Sequence, residues 1–132
     1  MSAMTIDELD SGVRVDVEPD FREAESAPGE QRFVFSYTVT VHNDSRRSVQ
    51  LLARHWKITQ GSGKVQEVRG KGVIGQQPMI APAQVFRYTS RAILEGPVGV
   101  MEGAYTCVDT ASQRLFEVPI APFRLASPNQ VH

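Results

Sequence analysis

RFVFSYTVTVHN, residues Arg32 to Asn43, sets Phe33, Phe35, Tyr37, Val39 and Val41 at one parity and Ser36, Thr38, Thr40 and His42 at the other. A period of two held over this length, in aromatic and β-branched side chains, predicts a strand with one apolar face and one wet face. Such a strand buries its apolar side against a second layer and keeps the other side in water. The stretch is therefore read as the central strand of an antiparallel sheet, and the rest of the chain as what packs against it.

Working outward, Val13, Val15 and Val17 alternate with charges in a first strand that Pro19 is expected to end. Asp20 to Gln31, with Pro28-Gly29, reads as a loop, with Phe21 tucked under it. Beyond the central strand, Asn43-Asp44-Ser45 marks a turn. Val49 to Thr59 is a strand of mixed phase: Leu52, Trp56 and Ile58 share a parity with Arg54, while Leu51 takes the other, which predicts a bulge or a strand covered on both sides. Gln60-Gly61-Ser62-Gly63 is a hairpin turn leading to Lys64–Arg69, a charged strand suited to a sheet edge. Gly70 to Pro82 is rich in glycine and proline. Strands then resume at Val85–Ser90, Val100–Val108 and Phe116–Ile120, where Pro119 and Pro122 place the last one at an edge. Phe123 and Leu125 are expected to close the core. No segment shows helical periodicity over three turns. Short strands punctuated by Gly and Pro imply an all-β sandwich or barrel.

The run Glu102-Gly103-Ala104-Tyr105-Thr106-Cys107 favours the sandwich, because it resembles the acid-x-Gly-x-Tyr-x-Cys run of immunoglobulin-like domains. There the tyrosine hydroxyl caps a corner by bonding to upstream backbone. Trp56 would then be the buried tryptophan of the fold, and Cys107, without a partner cysteine, a free and inert core thiol.

At 132 residues with net charge −1 and one cysteine, the chain is read as a single domain over 1–132 whose first eleven residues are loosely held. A chain this long buries roughly two thirds of its unfolded surface and needs no staples. The charge balance gives no pull toward nucleic acid or anionic membrane. One cysteine excludes an internal disulfide framework and a cysteine-based zinc site. No signal peptide or membrane-spanning run is visible, so the expected setting is the cytoplasm.

Several runs together resemble the ApaG family. They are Arg32-x-Val34-Phe35-x-Tyr37-Thr38-Val39-Thr40, Val49-Gln50-Leu51-Leu52-x-Arg54-x-Trp56-x-Ile58-Thr59, Gly70-x-Gly72-Val73-x-Gly75-x-x-Pro78-x-Ile80-x-Pro82, Tyr88-Thr89-Ser90 and Met101-x-Gly103-x-Tyr105. Val118-Pro119-Ile120 and Phe123-Arg124-Leu125 continue the match, which covers nearly everything after the first strand. The resemblance implies a fibronectin type III-like, immunoglobulin-like antiparallel β-sandwich. It further implies a small bacterial protein whose eukaryotic counterparts are fused to F-box proteins and to a polymerase-delta-interacting protein, where they look like protein-recognition modules. The bacterial gene commonly neighbours one for a diadenosine tetraphosphate hydrolase, and the family has been linked to cobalt and magnesium efflux. It supplies no catalytic residues. Ala83 stands where the family often has glycine, which predicts a type I turn rather than one with positive φ.

The chemistry-bearing groups are few. Gly70-Lys71-Gly72-Val73-Ile74-Gly75 matches G-x-G-x-x-G, but no helix can follow it, so a dinucleotide fold is set aside. Its glycines are read first as turn-formers. The alternative is a nest whose backbone N–H groups, with Arg69 and Lys71, hold a phosphate or pyrophosphate, giving Arg69, Gly70, Lys71, Gly72 and Gly75 as the candidate anion site. His42, His55 and His132 show no metal spacing and are read as solvated. Asp7, Glu8, Asp10, Glu23 and Glu25 are the acidic loop residues that a divalent cation would need. Arg46, Arg47, Arg54, His55 and Lys57 make a mildly basic patch. No cofactor is expected and no catalytic group can be assembled. The function expected is that of a non-enzymatic interaction module with an unidentified protein partner; the alternative is a small-ligand binder.

Overall fold

The computed structural model describes residues 11–128. Among them lie eight strands: β1 (Val13–Phe21), β2 (Phe33–Asn43), β3 (Val49–Gln60), β4 (Val65–Lys71), β5 (Met79–Ile80), β6 (Val85–Leu94), β7 (Val98–Asp109) and β8 (Leu115–Ala126). Two 3-10 turns, Glu23–Glu25 and Pro28–Glu30, interrupt the β1–β2 loop, and no α-helix occurs among these residues. The strands form two antiparallel sheets, ordered β1-β2-β6 and β4-β3-β7-β8, with β5 also paired to β3. This is the β-sandwich expected.

β2 lies between β1 and β6, and its alternation does what the sequence predicts. Phe35, Tyr37, Val39 and Val41 are buried, and Phe33, at the strand's start, is partly buried against the core. They meet Trp56 of β3 and Tyr105 of β7. The Trp56 ring stands edge-on to Tyr37, Tyr105 and Phe123 at centroid distances of 5.4, 6.2 and 5.9 Å, an arrangement that adds to simple area burial. Val34 has the outward parity and is buried as well. The β1–β2 loop folds over it: Arg22 N–H donates to the Val34 carbonyl and Val34 N–H to Ser26 Oγ, at 2.8 and 2.9 Å.

The mixed phase of β3 is a bulge. Pairing with β7 slips between Leu51 and Ala53, so Val49 and Leu51 face the core together with Arg54, Trp56 and Ile58. Both predicted edges are edges: β4 ends one side of the larger sheet and β8, with its prolines, the other.

Four expectations are corrected. Pro19 does not end β1, which runs on to Phe21; as an edge strand β1 tolerates the missing donor. Phe21 accordingly pairs with Phe35 across the ladder, ring centroids 5.3 Å apart, instead of sitting under the loop. Ala83 has φ +66°, and Gln84 N–H donates to the Ala81 carbonyl at 3.0 Å. With Pro82 before it, this is a type II turn; Ala83 N–H is held by the Asn43 carbonyl at 2.8 Å, which fixes the strained residue. Finally, Tyr105 caps no corner. It sits mid-strand in β7 between Arg54 and Val118, and its hydroxyl bonds to Tyr88 Oη across the core.

The two flanks of the sandwich differ. On one, the edge strands β1 and β8 pack against each other and close it. On the other, the edges β6 and β4 leave a cleft between the sheets. Among the described residues no helix is long and apolar enough to cross a membrane.

Candidate functional site

The open cleft has a volume of about 360 Å3. Its floor is the inward face of β3 and β7, with Trp56, Ile58 and Met101; Gln66 and Val68 of β4 form one wall, and Ser90 to Ile93 of β6 the other. A smaller hollow of about 150 Å3 adjoins it, lined by Val73, Ile74 and Tyr88 and sharing Tyr37, Arg54, Trp56 and Ser90 with the first. Val68 of β4 and Ile93 of β6 are exposed here, at 36% and 51%. Apolar side chains on a free strand edge leave a surface open to pairing with another chain.

Arg54 is the charged group of this floor. The parity it shares with Trp56 and Ile58 turns it inward, where a hydrophobic residue would be the usual occupant. One nitrogen, Nη1, donates to the carbonyls of Lys71 and Gly72 at 3.1 and 2.9 Å. Gly70 lies beneath the guanidinium so closely that a Cβ there would come within 2.7 Å of Arg54 Cζ. Nε and Nη2 remain, and no carboxylate of the described residues pairs with them. Burial raises the pKa of the Tyr37 hydroxyl, opposed by its bond with Ser90 and by the Arg54 charge. Tyr88 is pushed up to about 12, again by burial.

The glycine run does something other than open a helix. Lys71 ends β4, and Gly72 N–H donates to the Leu52 carbonyl at the β3 bulge, at 2.7 Å. Val73 and Gln76 exchange backbone hydrogen bonds of 2.8 Å in both directions around Ile74 and Gly75, whose φ values of +41° and +77° make a type I′ turn. Gln77 Nε2 also reaches the Leu52 carbonyl, at 2.9 Å, and Leu51 N–H donates to the Pro78 carbonyl at 3.0 Å. The segment thus splices β4 to β5 along β3. Of the candidate anion ligands, Gly72 has its N–H on Leu52, Gly70 lies under Arg54, and Gly75 sits in the turn. Arg69 points to the outer face beside His55, 3.8 Å from Glu67.

The remaining candidates are dispersed. His55 Nε2 lies 2.7 Å from Glu67, and His42 Nε2 2.9 Å from Asp16, so both ring nitrogens sit on carboxylates that the sequence did not show as neighbours. Glu25 is held by Arg91 at 2.7 Å and Arg22 at 3.0 Å, which lowers its pKa to about 2. Asp7, Glu8, Asp10 and His132 lie outside the described residues, and among those described no group of three or more His, Cys, Asp or Glu converges as a metal would require. The basic patch is not one surface: Arg54 faces the cleft, His55 meets Glu67, and Arg47 reaches Asp109 at 3.1 Å and stacks on the Phe116 ring. Cys107 is buried, and burial pushes its thiol up to about 12, so it holds little nucleophilic thiolate. A further hollow of about 390 Å3 between the β3–β4 and β6–β7 turns is bordered by Gln60, Ser62, Glu95 and Pro97; its acid, Glu95, is paired with Lys64 at 3.2 Å.

Arg54 is thus a cleft residue and not one of the surface cations of a basic patch. The signal that would have set it apart was its parity: an arginine in phase with Trp56 and Ile58 has to be accommodated inside.

The ApaG domain profile matches residues 23–109. Protein ApaG of Chromohalobacter salexigens is 74% identical over 125 residues, covering 95% of this chain and 98% of that protein. A Bordetella pertussis protein described as ApaA has a crystal structure that superposes with a TM-score of 0.86 at 47% identity, covering 89% of this chain and 95% of that one. An X-ray structure of a structural-genomics target superposes with a TM-score of 0.87 at 41% identity, covering 94% and 93%.

Proposed function

This chain belongs to the ApaG family, and on that premise we propose that it is a non-enzymatic protein-recognition module whose binding surface is the open flank of the sandwich. The observation that supports the reading is the asymmetry of the flanks. One pair of edges is mutually covered, while β4 and β6 stand free on either side of a cleft with apolar side chains exposed along it. A free edge offers unpaired backbone N–H and C=O groups to an extended segment, which gives affinity, and the cleft offers room for alternate side chains, which gives specificity. The names of the relatives carry no catalytic term.

The test places a photo-cross-linking residue at Val68, at Ile93, or at Leu115 on β8. Capture of the same protein from the native cell through Val68 and Ile93, and its absence through Leu115, is the expected result. Equal capture from all three positions would remove the open flank from consideration. No specific capture, together with a thermal shift caused by pyrophosphate or a divalent cation, would favour a small-ligand binder instead.

A further inference from the structure

Arg54 stands midway along the groove. Toward the β3–β4 turn its neighbours are Ile58 and Val68; in the other direction they are Val73 and Ile74. Its guanidinium is pinned through Nη1, which leaves Nε and Nη2 as a fixed fork, the geometry that matches a carboxylate. The lining of both hollows contains no carboxylate of its own.

A second donor follows from counting protons. Tyr105 Oη is wholly buried and bonds to Tyr88 Oη. Each hydroxyl carries one proton, and the bond between them uses one. The Tyr105 proton is satisfied only by donating to Tyr88, which leaves the Tyr88 proton facing the hollow that it lines with Arg54, Tyr37 and Ser90. An O–H proton beside the Nε and Nη2 donors of Arg54 is costly to leave without an acceptor.

We propose that Arg54 and Tyr88, with the Tyr37 and Ser90 hydroxyls beside them, hold the carboxylate side chain of an extended partner segment. Apolar side chains two positions to either side of that acid fill the flanking parts of the groove. The inference rests on the protein-recognition reading above and names its partner's chemistry. Residues two apart on an extended chain lie roughly 7 Å apart on the same face, so an apolar–acidic–apolar pattern at period two fits a groove whose charge is in the middle. A chain terminus ending at Arg54 would leave half of the groove empty, which favours a side chain over a terminal carboxylate.

Calorimetric titration of the whole protein tests this with three probes. One is a capped heptapeptide of threonines with glutamate at its centre and valine two positions away on each side; the second is its twin with glutamine at the centre; the third is sodium acetate. The glutamate peptide is expected to bind about tenfold tighter than the glutamine twin, to weaken as salt is raised, and to exceed acetate by far. The glutamate preference should vanish in Arg54→Gln. Because Arg54 also supports the splice loop, Arg54→Lys, which keeps charge but loses the fork, and Ser90→Ala serve if Arg54→Gln does not fold; both should shrink the preference. Equal binding of the two peptides, a preference that survives these substitutions, affinity no better than acetate, or no binding of either peptide would each overturn the proposal. Its failure is separable from that of the recognition reading, which stands as long as cross-links from Val68 and Ile93 capture a common protein.

Discussion

An alanine at Gly72 would put its Cβ 2.2 Å from the Gln76 carbonyl oxygen, on a backbone at φ +65°. Neither the clash nor the dihedral can relax without breaking the splice, so Gly72→Ala should cost more than about 1 kcal/mol in urea denaturation. Gly75, at φ +77° with open space around it, needs only a residue that tolerates the left-handed region, and Gly75→Asn should cost less than about half a kcal/mol. Gly70→Ala meets the Arg54 guanidinium rather than backbone. It should move the Arg54 Nε NMR signal while changing the denaturation midpoint less than Gly72→Ala does. Three glycines in one motif therefore have three separate causes, and only their turn-forming capacity was legible beforehand. A pattern of residue types reports that backbone freedom is needed; it does not report whether a turn, a carbonyl or an arginine needs it.

The β1–β2 loop and strand β6 are joined through Glu25, which Arg91 and Arg22 hold as a carboxylate down to about pH 2. Its folded pKa is depressed, so the clamp is fully present above the ordinary glutamate value and is lost as pH falls through about 2. A carbon-detected NMR titration should place the Glu25 midpoint near 2, and Arg91→Gln should return it toward the ordinary range. A normal midpoint in the native protein would mean that the clamp does not form in solution. Elements with strong alternation, β2 above all, were legible from the sequence, as was the bulge in β3, because a phase slip is a local signal. The Glu25–Arg91 clamp was not, since its partners are 66 residues apart and exposed charges carry no periodicity. The extension of β1 through Pro19 escaped for a related reason: proline stops a strand only where its missing N–H would have faced a neighbour, and that depends on which strand is the edge.

For the molecule as a whole, the aromatic cluster around Trp56 is the common contact of the two sheets. Phe35 is 1% exposed within this core, and Phe35→Ala should cost roughly 3–5 kcal/mol, a large part of the stability of a domain this size. A loss below about half a kcal/mol in equilibrium denaturation would contradict its place between the layers. The all-β class and two of the edges could be read from alternation, charge and proline. The candidate site could not: a cleft exists because β6 belongs to the smaller sheet and β4 to the larger one, and strand partnership is decided by long-range registers that no local pattern records.

The closed flank also bears on how the chain is made. Because β1 packs on β8, the first of the described strands to be synthesised waits for the last of them. A nascent chain that has produced β1 to β7 still lacks the cover for one side of both sheets, and its unpaired strands resemble those of an aggregation-prone intermediate. Contacts so distant along the chain also slow the search for the native pairing. Closure of the sandwich accordingly waits for β8 rather than proceeding strand by strand, and a copy lacking Leu115–Ala126 would be an unprotected sheet rather than a smaller version of the same fold.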